Sequence, residues 1–454
     1  MLELLKKLIS VPSVMDEPEK EAPFGKEVRR ALDVFLAEAK KIGLKTHDEH
    51  GYYGWAEYGE GEGMIGLACH IDVVPATGDW KYPPYELTQV GDKIYGRGVA
   101  DDKGAIAVCL KLLEKFKNDG VKFKHRIRLI VGCNEENGSL CLKKYNEVDE
   151  KPTFTLVPDA DFPIVNSEKG ILHFTVSVPC GDLESAVVGF SGGKRPNIVP
   201  DEATVEIKKN APLYGEIKSA FDSEEKARSL LLEANIKPHD FTIEDGETLK
   251  VTAHGIAGHA MAPQNGDNAI YKLLRLISSV SSDEFGSLKN FSSLVAFGDL
   301  RSNLAVYKSD PQSGELTINL GMVRFKDGKL LFTLDSRLPI SANHEDVLAA
   351  LPAFVKGCKV EEYTFSPNLY IDENDKIVKT LLSAYCAVTG DKPHCVQTGG
   401  GTYARSIMPA IAFGYTPEGR ETNLHNANEN FTVTELEQFY KIYELAIINL
   451  DKTL

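Results

Sequence analysis

Long apolar runs are missing from this chain of 454 residues. Nowhere do about 18 apolar residues follow one another, which argues against a membrane-spanning helix. An excess of positive charge is missing too: the net charge of −15 speaks against a nucleic-acid backbone or an anionic membrane as the main partner. The eight cysteines (Cys69, Cys109, Cys133, Cys141, Cys180, Cys358, Cys386 and Cys395) contain no CxxC pair and form no even framework. Several sit inside apolar stretches, so reduced, buried thiols in a cytoplasmic protein are expected. The segment Met1-Leu2-Glu3-Leu4-Leu5-Lys6-Lys7 interrupts its apolar residues with charge and lacks a signal-peptide core. Gly399-Gly400-Gly401-Thr402 lacks the Lys-Ser/Thr pair that closes a phosphate loop.

What remains is an ordinary globular composition, 43% hydrophobic and 26% charged, on a chain long enough for two domains. The first stretch alternates helix and strand patterns. Leu2, Leu5, Leu8 and Ile9 mark one helical face, and Val28, Ala31, Leu32, Phe35 and Leu36 mark another. Met64 to Cys69, Ile127 to Cys133 and Phe154 to Val157 read as buried strands, with a helix from Ala105 to Phe116 between the first two. Such alternation implies an α/β fold with a mostly parallel mixed sheet flanked by helices.

From about Gly170 to Ser366 the texture changes to longer, alternating strands: Ile171 to Val178, Leu249 to Ala253, Leu316 to Phe325 and Leu330 to Leu334. Lys326-Asp327-Gly328-Lys329 is a hairpin turn between the last two. Helical stretches at Glu224–Ala234, Ala269–Val280 and Asp346–Val355 lie among them. The expected organisation is a discontinuous catalytic domain, residues 1–169 and 367–454, interrupted by an inserted α+β lid domain, 170–366. The lid would consist of two ferredoxin-like halves, although no internal repeat is strong enough to prove a duplication. Ile377 to Thr389, Ala410 to Phe413 and Leu436 to Leu450 return to the first texture as helix, strand and terminal helix.

Five polar signatures border the apolar runs: His70-Ile71-Asp72, the Gly96–Gly104 segment with Asp101-Asp102, Asn134-Glu135-Glu136, Pro158-Asp159-Ala160-Asp161 and Asn423-Leu424-His425-Asn426. Each has a plain alternative when taken alone. His70 with Asp72 fits a metal-binding imidazole beside an orienting carboxylate, or a core histidine capped by an aspartate. Asp102 fits a helix cap, whereas Asp101 has two oxygens able to bridge two cations. Glu135 and Glu136 at the end of a buried strand repel each other unless a cation or proton offsets them; solvated loop acids are the alternative. Asp159 and His425 gain weight only from their company. Together the five supply two imidazoles and a surplus of carboxylates at strand ends, the ligand chemistry of two divalent metals bridged by water. Asp101, Glu136 and Asp159 carry three negative charges against four positive from two such cations, and a bridging hydroxide would cancel the remainder.

On these motifs nearly the whole chain resembles the two-metal aminoacylase and carboxypeptidase-G family of peptidases, within it the dipeptidase V and carnosinase branch. The resemblance implies that His70 and Asp159 hold one metal and Glu136 and His425 the other. Asp101 would bridge them beside a cis Asp101–Asp102 peptide, with Asp72 bracing His70 and Glu135 acting as general base. In the lid, His254-Gly255-Ile256-Ala257-Gly258-His259 resembles the family segment whose histidine polarises the scissile carbonyl, which makes His259 the oxyanion stabiliser. Asn197 and Arg337 match residues that grip a substrate carboxylate, and Gly400, Gly401 and Thr402 would offer backbone N–H groups to the same carboxylate or simply form a tight turn. The implied protein is a monomeric metallo-dipeptidase acting on small peptides with a free amino terminus, its cofactors two divalent ions, zinc foremost, with manganese or cobalt compatible. The nearest alternative is an amidohydrolase of N-acyl amino acids using the same metal centre.

Overall fold

The computed structural model describes residues 1–180, 183–221, 236–280 and 286–454; the helical stretch expected at Glu224–Ala234 lies outside them. The chain separates into two compact units, Met1–Glu168 with Leu369–Leu454, and Lys169–Asn368.

In the first unit a nine-stranded mixed sheet runs in the order Lys45–Asp48, Tyr53–Tyr58, Arg126–Gly132, Met64–His70, Phe154–Val157, Ala410–Ala412, Val165–Glu168, Leu369–Tyr370, with Val396–Thr398 also pairing Val165–Glu168. Met64–His70 pairs in parallel with Arg126–Gly132 on one side and with Phe154–Val157 on the other, and Ala410–Ala412 continues parallel to Phe154–Val157. Every residue of Met64–His70 is buried, so this strand is covered on both faces, as an apolar run without alternation requires. The helices Lys26–Ile42, Lys103–Asn118 and Val433–Thr453 contribute to the same core. Val433–Thr453 begins with a capping box in which Thr432 Oγ1 accepts from Glu435 N at 3.0 Å and Glu435 Oε2 accepts from Thr432 N at 2.8 Å. Lys45–Asp48 at the sheet edge and Tyr53–Tyr58 beside it have no counterpart in the sequence expectations, because strands this short with mixed side chains give no sustained period.

The second unit carries an antiparallel sheet of eight described strands in the order Phe241–Asp245, Thr248–His254, Glu202–Lys208, Val187–Gly192, Thr317–Lys326, Lys329–Leu338, Gly170–Pro179, Lys359–Ser366. Its midpoint is narrow: Val187–Gly192 meets Thr317–Lys326 only through Ser191↔Arg324 and Gly192↔Val323. Two four-stranded halves therefore lie side by side in one sheet. The first half packs with Pro212–Phe221 and Ala269–Val280, the second with Gly286–Val295 and His344–Phe354, all in one core. The hairpin turn forms as its residues demand: Asp327 and Gly328 adopt φ of 50° and 72°, the left-handed pair that matches the twist of the flanking strands. Lys329–Leu338 runs four residues beyond the expected Leu334, through Asp335, Ser336 and Arg337, because pairing with Gly170–Pro179 and Thr317–Lys326 buries these polar groups between two neighbours.

Candidate metal centre

Three parallel strands deliver acidic and imidazole side chains to one end of the first unit's sheet. Met64–His70 ends in His70, Arg126–Gly132 leads through Cys133-Asn134 into Glu135-Glu136, and Phe154–Val157 leads through Pro158 into Asp159. Their carboxyl ends lie together because the strands run parallel, which is where open α/β sheets build their sites. Asp101 arrives from the turn before the helix Lys103–Asn118, and the Asp101–Asp102 peptide is cis. A Cβ at Gly104 would collide with Tyr415 Oη and Val99 O, so this turn can seat so closely only with glycine there.

The two oxygens of Asp101 face two imidazoles. His70 Nε2 lies 2.7 Å from Oδ1, and His425 Nε2 lies 2.9 Å from Oδ2. Asp159 Oδ2 stands 3.8 Å from His70 Nε2, and Glu136 Oε1 stands 3.2 Å from His425 Nε2. Two overlapping groups result, His70–Asp101–Asp159 and Asp101–Glu136–His425, each with ligand atoms within 4.8 Å of one another. Asp102 Oδ2 accepts from His70 N at 3.2 Å. His70 Nδ1 meets the main-chain carbonyl of Asp72 at 3.0 Å and its carboxylate only at 3.6 Å. That carboxylate instead accepts the N–H groups of Glu135 and Glu136 at 3.0 and 3.1 Å, and so orients both acids as well as the histidine's surroundings.

The electrostatics follow from crowding acids out of water. Burial pushes the Glu135 carboxyl up to about 8, with Glu136, Asp101 and Asp72 adding to the rise against His70. Burial and the charge of Asp101 raise Asp159 well above the usual carboxylate range. For Asp101 burial works against ionisation, yet His70 and His425 outweigh it and hold the carboxyl below that range. Hydrogen bonds to Asp101 and then Glu136 lift the His425 imidazolium to about 10. Positive charge is thus what these ligands select. Glu136 Oε1 is buried with His425 Nε2 3.2 Å away, and a carboxylate oxygen so placed keeps a second lone pair for a cation. Two imidazoles and three carboxylates sharing Asp101 fit a pair of divalent cations.

The remaining expected residues are distributed as follows. Thr402 turns into its own unit: its N–H and Oγ1 reach Glu168 at 3.2 and 2.7 Å, and Oγ1 accepts from Ala404 N. The N–H of Gly400 is used by Thr398 Oγ1 at 3.0 Å, and Gly401 sits against the Arg405 guanidinium. The loop is therefore a tight turn with much of its backbone donation used internally. Asn197, His259 and Arg337 belong to the second unit and form a group of their own. Ile198 pairs with His259 in a two-stranded ladder, Asn197 O accepts from Ala260 N at 3.0 Å, and Asn319 Nδ2 ties Pro196 O and Ile198 O to the main sheet. His259 Nδ1 accepts from Met261 N at 3.1 Å, which assigns the ring proton of the neutral imidazole to Nε2. Desolvation, and behind it the charge of Arg337, holds His259 below the usual histidine value and so in that neutral form. Arg337 donates from Nε and Nη2 to Asp335 at 2.8 and 2.9 Å, and Asp335 also takes His173 Nε2 at 2.7 Å. No local pattern singles out Glu168, Arg97 or Glu429, each a buried charge whose partner lies more than 200 positions away, whereas Asp335 has one partner, Arg337, two residues on and another, His173, on a neighbouring strand.

Comparison with known proteins adds a family match, a relative and two similar folds. Residues 66–449 match the description Peptidase family M20/M25/M40. The putative dipeptidase YtjP of Bacillus subtilis is 33% identical over 463 residues, covering 98% of this chain and 96% of its own. In fold the chain is similar to human carnosine dipeptidase 1 (TM-score 0.57, 16% identity, 99% and 96% of the two chains). It is likewise similar to aminoacylhistidine dipeptidase from Vibrio alginolyticus (TM-score 0.58, 16% identity, 99% and 96%).

Proposed function

The chain belongs to peptidase family M20/M25/M40, and on that premise we propose that it is a metal-dependent dipeptidase hydrolysing the peptide bond of short peptides with a free amino terminus. The observation that carries this is the convergence of His70 and His425, 355 positions apart by number, on the two oxygens of Asp101 at 2.7 and 2.9 Å. His70 and Asp159 would hold one divalent cation, Glu136 and His425 the other, with Asp101 shared. Bound there, the cations would lower the pKa of a water between them and polarise the scissile carbonyl.

The chain's own residues then divide the work. Glu135, half-buried and oriented through its N–H by Asp72, takes the proton from the attacking water and returns it to the leaving amine nitrogen as the C–N bond breaks. His259, with its proton on Nε2, donates to the oxyanion. Arg337, its guanidinium set by Asp335, and Asn197 grip the substrate carboxylate. Gly400, Gly401 and Thr402 serve that grip through the shape of their turn. Zinc is the proposed occupant, and manganese and cobalt suit the same ligands. Eight free cysteines, most of them buried, favour the cytoplasm. We take the active form to be a monomer whose own inserted unit supplies His259.

The test is a substrate panel with counted metal. Metal-free protein reconstituted with two equivalents of zinc is expected to cleave unblocked dipeptides and to spare their acetyl- and succinyl-amino-acid counterparts. Preference for the blocked compounds would sink the dipeptidase assignment.

A further inference from the structure

Outside the ligand groups, the first unit buries one more ion pair against the same loops. Arg97 and Glu429 have side chains 1% and 0% exposed, and Arg97 Nη1 donates to Glu429 Oε2 at 2.6 Å. Glu429 also accepts from Gly98 N through both oxygens, at 3.1 and 3.0 Å, and from Ala100 N at 2.8 Å. Its main-chain carbonyl accepts from Gly96 N at 3.2 Å. Arg97 Nη2 reaches Pro75 O and Asn426 O, both at 3.3 Å, and the guanidinium lies 5.3 Å from the centre of the Trp80 ring.

Three chain segments meet at this pair: the loop after His70 through Pro75, the turn ending in Ala100 just before Asp101, and the loop holding Asn426 just after His425. Each carries a ligand of the proposed centre. Two of them are 332 positions apart, so chain connectivity does nothing to align them. His425 has particular need of such support, since its side chain is 49% exposed and its backbone sits at φ 60° in a loop without regular structure.

We propose that the Arg97–Glu429 pair is the positioning element of the metal centre, registering the segments that carry His70, Asp101 and His425 so that both cations find preformed ligands. This rests on the two-cation reading above. Neither residue touches a cation or substrate; both act through the ligand loops, as outer hydrogen-bonding partners of metal ligands do. The pair Arg128–Glu57, 2.7 Å apart with side chains 5% and 4% exposed, is the natural contrast. It joins the strands Tyr53–Tyr58 and Arg126–Gly132, which backbone hydrogen bonds already hold in register.

The test compares Glu429→Gln, Arg97→Lys and Glu57→Gln with the parent, each metal-free and titrated with zinc against a chromophoric chelator. Thermal unfolding is recorded with and without metal. Glu429→Gln is expected to raise the zinc Kd about 10- to 100-fold and to shrink the metal-induced rise in Tm, with Arg97→Lys moving the same way. Glu57→Gln is expected to lower Tm equally in both states and leave the Kd unchanged. An unchanged Kd in Glu429→Gln, with Tm falling equally with and without zinc, would reduce the pair to a plain structural contact and overturn the proposal. Should Glu429→Gln fail to fold, Arg97→Lys decides by the same criterion. If the parent itself binds fewer than two equivalents, the two-cation reading has failed, a result visible before any variant is made.

Discussion

In the first unit the strand Met64–His70 buries all seven of its residues, whereas Glu202–Lys208 in the second unit buries only Ala203, Val205 and Ile207. The difference decides where chemistry can sit. A strand covered on both faces has no wet surface except beyond its end, so polar residues collect in the loops there and are dehydrated together. Crowded acids then shift one another's pKa and attract cations. A strand with one wet face can place polar groups along its length. Arg337, by contrast, lies in a buried stretch of its strand and is held there by Asp335, while His259 lies exposed in a small side ladder. One unit offers concentrated charge, the other positioned donors.

The contrast is most severely tried at Glu135. Glu135→Gln is expected to retain two metals by elemental analysis while kcat falls about 10²- to 10⁴-fold, since only proton transfer is removed. Near-parent turnover would show that the acid has been given the wrong role. His259→Ala should fold normally and lose about 10²- to 10³-fold in kcat, the scale of a deleted oxyanion donor. Full activity in steady-state assays would leave the second unit without a share in the chemistry.

Stability separates the two sheets on a smaller scale. Leu67→Ala, at a fully buried position of Met64–His70, should cost about 2–5 kcal/mol in denaturant unfolding. The next effect is one of pH. Burial opposes ionisation of Asp335, yet hydrogen bonds from His173 and Arg337 hold its carboxyl below the usual range. A carboxyl depressed on folding contributes stability that is complete above its unfolded value, about 3.9, and is lost as pH falls through the folded one. The Tm advantage of the parent over Asp335→Asn should therefore shrink as pH is lowered from about 5 to about 2. A constant gap across the series would assign the advantage to packing. Smallest of all, Thr204→Ala removes a cross-strand hydroxyl pair with Thr252 at 3.1 Å on the wetter face, and about 0.2–1 kcal/mol should be lost.

The buried parallel strands and the hairpin at Asp327-Gly328 were legible because each follows from a local pattern: an unbroken apolar run, or residues that tolerate positive φ. The five polar signatures were legible for a related reason, since acids and histidines directly after apolar runs are conspicuous. Val187–Gly192 was not, because its inward positions follow no regular alternation; Glu202–Lys208 does alternate, with Ala203, Val205 and Ile207 inward, but its apolar residues are few and small. Asp72 shows the limit at a single residue. Its spacing from His70 predicts a partnership between side chains, but the carboxylate goes to the N–H groups of Glu135 and Glu136, a choice made by a neighbouring strand.

By itself, then, the sequence determined which acids and imidazoles border the apolar strands and the family the chain belongs to, because these depend on residue identity and short-range order. Which oxygen of Asp101 meets which imidazole, and how Arg97 and Glu429 stitch three distant segments together, only the tertiary structure decided. Pairings across more than 300 positions leave no local trace; they arise when buried charges, cut off from water, must find partners among whatever the fold brings beside them.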